Sequence, residues 1–170
     1  MGEPFERFKL STAAEQLAEQ AGHELNSERP LPRKVGEDGV EIGAKGLQYD
    51  WLPRHQQLWV QVSKDRQIKA WSGNPSIRID KLVIRLEKEY SLQTAEGMMS
   101  IVVPIDQQFT KVAFLCPKGS VEEAKGVVQD DWQPGFGFCI REEVTIGAIE
   151  KDITFILVKV KRTVEVPAAI

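Results

Sequence analysis

Apolar residues fall on a clear helical face near the start of the chain, and further on most of them alternate with polar ones. Leu10, Ala14, Leu17, Ala21 and Leu25 recur every three to four residues, which predicts one amphipathic helix. Thr12 with Glu15 three residues later reads as its capping box, and Gly22 suits its C-terminal turn. A helix this short is marginal alone in water, so its apolar face should dock on its own domain or on a neighbouring subunit. Residues 26–46 follow with proline, glycine and charge and no periodicity, which predicts an extended linker. Residues 1–46 thus read as an N-terminal arm, and residues 47–170 as the folded body.

In the body, Leu58, Val60 and Val62 alternate with Trp59, Gln61 and Ser63. This predicts a strand, paired as a hairpin with Ile68 to Trp71. Residues 76–92 fit two templates: Ile79, Leu82, Val83, Leu86 and Tyr90 suit a helix, while Ile77, Ile79, Leu82, Ile84 and Leu86 suit a strand with one phase slip near Lys81. The β-branched residues favour the strand. Met99 to Val103 and Lys111 to Cys116 are short strands bounded by Pro104 and Pro117, and Ser120-Val121-Glu122-Glu123 opens a helix. Phe136 to Ile146 reads as one strand interrupted by Glu142. Ile153 to Val158 is apolar on both faces, as a central strand requires, and it emerges into solvent from Lys159. These last two strands are expected to form the longest hairpin. The fold class is therefore mainly β, at the margin of α+β: an antiparallel β sandwich or barrel with one or two short helices and an N-terminal helical arm.

Composition narrows the setting. With 170 residues, a 42% hydrophobic share and a 28% charged share, one core of ordinary size is expected and no membrane span. Two cysteines and no glycosylation sequon suit a reducing, cytoplasmic location, or a virion if the source is viral. A net charge of -3 disfavours nucleic acid as a partner. The segment Gly135-Phe136-Gly137-Phe138-Cys139-Ile140 resembles the central strand motif of RNA-recognition domains. However, Pro134 replaces the basic residue, Arg141 breaks the terminal aromatic, and the order of elements differs.

Candidate chemistry is sparse. The only histidines are His23 and His55, and Cys116 and Cys139 sit in apolar strands where a thiol acts as a small buried hydrophobe. A cysteine/histidine hydrolase using His55 is the least favoured reading, and no metal-ligand spacing or cofactor motif is present. The favoured expectation is a non-enzymatic, self-associating structural or adaptor protein, of the kind found in viral coats or matrices. Leu17, Trp51, Trp132, Phe155 and Leu157 are its expected contact residues. Phe155 and Leu157 share one face of the last strand, so that face is expected to meet a second subunit and the opposite face, with Ile156 and Val158, to meet the core. The alternative is a monomeric β domain that binds a small molecule or peptide near Trp51, Trp59 and Trp132.

Overall fold

A computed structural model describes residues 5–26, 46–65, 68, 79–116 and 127–161. The elements run β1 (Phe5–Lys9), α1 (Thr12–Asn26), β2 (Gly46–Tyr49), α2 (Pro53–Ser63), β3 (Ile79–Leu86), β4 (Ser91–Gln93), β5 (Met98–Pro104), β6 (Thr110–Leu115), β7 (Val128–Trp132), β8 (Phe136–Ile140), β9 (Thr145–Ala148) and β10 (Ile153–Lys161).

The strands form two antiparallel sheets, one of six in the order β1-β8-β5-β10-β3-β2 and one of four in the order β4-β9-β6-β7. The pairings nest: β3 lies beside β10, β4 beside β9, β5 beside β8 and β6 beside β7. A long hairpin folded over on itself gives this arrangement, and it makes the body a jelly-roll sandwich. The mainly β, antiparallel expectation holds, in its sandwich form.

Two apolar layers follow from strand alternation. Ile153, Phe155 and Leu157 of β10 point between the sheets with Val102, Phe114, Trp132, Phe138, Ile140 and Ile146. Ile156, Val158 and Val160 point the other way, under the helices, with Val83, Ile101, Val103 and Cys139. β10 is central and buried on both faces, as expected. It is not half of a terminal hairpin, because its neighbours are β3 and β5. Lys159 does not emerge into solvent either, being only 8% exposed.

The N-terminal segment is built into this body. Phe5–Lys9 pairs with β8 along its whole length, a strand that the arm reading did not include. Ser11 caps α1 by accepting the Ala14 N–H at 3.2 Å, one residue before the expected cap. Ala14, Ala18 and Ala21 are buried in the helix-side core, with Leu17 and Leu25 packed against it. α1 thus covers its own domain, and it runs through Gly22 instead of stopping there.

Residues 53–63 are a helix, not the expected strand. Pro53 stands at its first position, where a missing N–H costs nothing, and His55, Leu58, Trp59 and Val62 are buried at helical spacing. The rest of the proposed hairpin, apart from the buried Ile68, lies outside the described residues, as does the helix expected from Ser120. β3 takes the strand option for residues 79–86, and its register with β10 is continuous through Lys81. Phe136 to Ile146 divides into β8 and β9, which belong to different sheets. The turn between them is reversed at Glu143, where φ is 67°.

Candidate functional site

A cleft of about 440 Å³ opens on the helix side of the six-stranded sheet. It is lined by α1 at Gly22, His23 and Leu25, by Tyr49 and Arg85, by Ile105 to Gln108, and by Asp152 and Thr154. The sequence builds it at the end of the sandwich where β5 hands over to β6. There the main chain of Ile105 still donates to the Thr154 carbonyl at 3.1 Å, as though β5 continued.

Asp106 is the hub of this end. Its Oδ1 accepts the indole N–H of Trp132 at 2.9 Å. Its Oδ2 accepts the Thr154 backbone N–H at 2.8 Å and the Gln108 side-chain amide at 2.6 Å. The backbone N–H of Asp106 itself adds a fourth hydrogen bond, so the roughly four acceptor positions of a carboxylate are all engaged. Burial raises the Asp106 pKa from its ordinary value to about 6, against the lowering effect of those donors. The group therefore titrates close to neutrality on the wall of a cleft, where such a shift marks a candidate site.

Around it the polar groups are tied in place. The Gln108 amide also donates to the Asp152 carbonyl at 2.6 Å. The Asp152 carboxylate pairs with Arg85 at 3.1 Å and accepts the Lys88 N–H at 2.7 Å. The Arg85 guanidinium also hydrogen-bonds Tyr49. His23 stands at the rim, largely exposed, 3.9 Å from Glu19. The floor is apolar at Ile105 and Leu25.

The five residues expected to form a contact surface are dispersed. Leu17 lies half-buried on α1 against the helix-side core. Trp51 is half-buried before α2, where its indole donates to Gln56 at 3.1 Å. Trp132, Phe155 and Leu157 are sealed between the sheets, with Trp132 and Phe155 in edge contact at 5.7 Å. The face of β10 assigned to a second subunit is covered by the chain's own four-stranded sheet. Trp132 does meet the cleft, through the indole N–H that holds Asp106.

His55 is buried in α2, with Nδ1 accepting the Leu52 N–H at 2.9 Å, and burial lowers its pKa. Burial raises the Cys139 thiol well above its ordinary value, which leaves it inert as a nucleophile. Sequence reasoning missed Asp106, Gln108, Asp152 and Arg85.

No protein-family model matches the chain, and no curated protein is similar to it. Solved structures do share its fold. A Pseudomonas putida prolyl-4-hydroxylase superposes with a TM-score of 0.56 at 12% identity, over 94% of this chain and 93% of that one. HygX from Streptomyces hygroscopicus, solved with nickel and 2-oxoglutarate bound, gives 0.57 at 9% identity over 92% and 82%. The non-heme α-ketoglutarate-dependent epimerase SnoN of nogalamycin biosynthesis gives 0.56 at 8% over 94% and 79%. Some matches are to much longer chains; the chain spans 22% of Streptomyces albus HEPD.

These likenesses correct the expectation of a non-enzymatic coat, matrix or adaptor protein. That expectation rested on an analogy of layout, and two of the solved chains that share this layout are named as enzymes, a hydroxylase and an epimerase. The nickel that HygX holds finds no matching donor set among the described residues. Non-heme iron sites of the oxygenase type use two histidines and a carboxylate. This sequence has two histidines, both on helices outside the sandwich, and no group of three or more histidine, cysteine or acidic side chains is placed to hold a metal among the described residues. The residues present do not fit such a centre.

Proposed function

We propose that this chain is an enzyme that works by proton transfer in the outer cleft, on a jelly-roll scaffold of the kind shared with 2-oxoglutarate-dependent enzymes. The observation that carries this reading is Asp106, a carboxyl group that titrates near 6 on the wall of a cleft, held there by donors from three other residues.

At neutral pH the ionised Asp106 accepts a proton from a substrate hydroxyl or carbon acid, and it returns one in the reverse sense. Trp132, Thr154 and Gln108 fix the carboxylate plane, so its oxygens are held in one orientation toward the cleft. Arg85, backed by Asp152, offers a guanidinium edge to a polar or anionic part of the substrate. Leu25 and Ile105 take its apolar part. The two buried cysteines, neither in a disulfide, suit a cytoplasmic setting.

The test is to incubate the purified chain with a small-metabolite extract, with neither iron nor 2-oxoglutarate added, and to follow each compound by mass spectrometry. A compound consumed by the wild type, and spared at least tenfold by both Asp106→Asn and Arg85→Gln, supports the reading. Turnover that appears only when ferrous iron and 2-oxoglutarate are supplied, or that survives both variants, overturns it.

A further inference from the structure

We infer that the space between the two sheets is closed core, and that this domain takes neither a histidine-held metal ion nor 2-oxoglutarate there. The conclusion rests on the inward-facing side chains alone and stands whether or not Asp106 transfers protons.

Facing pairs across the small sheet show the point. On β4 and β9 the side chains of Leu92 and Ile146 stand opposite each other, with Ala148 beyond, and all three are buried. From β6 and β7 come Val112, Phe114 and Trp132; the large sheet answers with Ile84, Leu86, Val102, Phe138, Ile140, Phe155 and Leu157. The aromatic rings touch in series. Phe5 stacks on Phe114 at 3.7 Å, Phe114 meets Phe138 at 5.2 Å, Phe138 meets Trp132 at 6.2 Å, and Trp132 meets Phe155 at 5.7 Å. Rings at these separations occupy the volume in which a cosubstrate would have to lie.

The polar exceptions do not make a ligand set. Thr94 donates its hydroxyl to Ser100 at 2.8 Å. Thr110 contributes a third hydroxyl. By strand alternation Lys159 shares the inner face of β10 with Phe155 and Leu157, so among the described residues the buried side chain of formal charge on that face is a cation, which opposes a metal ion. Imidazole and carboxylate are the donors that iron, nickel or manganese selects, and the inner faces of the described strands supply neither in a group. His55 is on the far side of the large sheet, among the helix-side residues. Both described clefts lie on that outer side as well.

The experiment uses the whole chain with manganese(II), nickel(II) and 2-oxoglutarate as probes, singly and together, and HygX alongside as the control. In thermal unfolding the expected result is no rise in Tm for this chain, whereas a ligand present at about 100 times its Kd raises Tm by several degrees. In methyl NMR, manganese(II) should leave the Leu92 and Ile146 signals unbroadened relative to surface methyls. A Tm rise that needs metal and 2-oxoglutarate together, or broadening centred on Leu92 and Ile146, overturns the inference.

Discussion

Gly22 of α1 and Ile105 at the end of β5 approach so closely that a Cβ built at Gly22 would stand 1.9 Å from the Ile105 carbonyl oxygen. Both residues line the cleft, so this contact sets where the helix closes over it. In an open helix interior, alanine is favoured over glycine by about 1 kcal/mol. Here the clash is with backbone, which cannot rotate away, and the sign reverses. Gly22→Ala is expected to lower Tm by several degrees in thermal unfolding; a Tm equal to or above the wild type would mean that α1 does not sit on Ile105.

β10 offers a sharper test of the layering. Leu157 faces the inter-sheet core and Val158 the helix-side core, and both are essentially unexposed. Leu157→Asp and Val158→Asp should therefore both destabilise the fold, each by several kcal/mol through an unpaired buried charge, as read by chemical denaturation. A Leu157→Asp protein that stays as stable as the wild type would place that face at a surface.

Asp106 makes stability depend on pH in a direction opposite to most carboxylates. Its folded pKa lies near 6 and its unfolded value near 3.8, so the folded state binds the proton more tightly. The contribution is fully present below about pH 4 and is lost as pH rises through 6. Two units correspond to about 3 kcal/mol at most. Asp106→Asn should flatten this part of the stability profile between pH 4 and 7, measured by urea unfolding at each pH. An unchanged slope would assign the titration to another group.

Much of the sheet was legible because strand alternation in Met98–Pro104, Thr110–Leu115 and Ile153–Lys161 follows directly from burial of one or both faces. α2 was misread for a physical reason. Leu58, Val60 and Val62 fit a period of two, but Val60 is 39% exposed, and the buried set is His55, Leu58, Trp59 and Val62. Pro53 as a first-turn signal was the available clue. The break at Glu143 carries no glycine to announce its positive φ, so β8 and β9 ran together in the sequence. The cleft was not legible at all. Asp106 and Trp132 are 26 positions apart, and only the nesting of β5 to β8 brings the indole to the carboxylate. Arg85 meets Asp152 across 67 positions through the β3–β10 pairing, which no local spacing encodes.

The most direct measurement of the central claim is a carbon-detected NMR titration of the Asp106 carboxyl in the native protein, assigned by its loss in Asp106→Asn. The account predicts a single apparent pKa near 6, raised further when Trp132→Phe removes the indole donor while leaving Thr154 and Gln108 in place. A carboxyl that titrates at or below the ordinary value of 3.8 would contradict it, and the cleft would then hold only a structural ion tie.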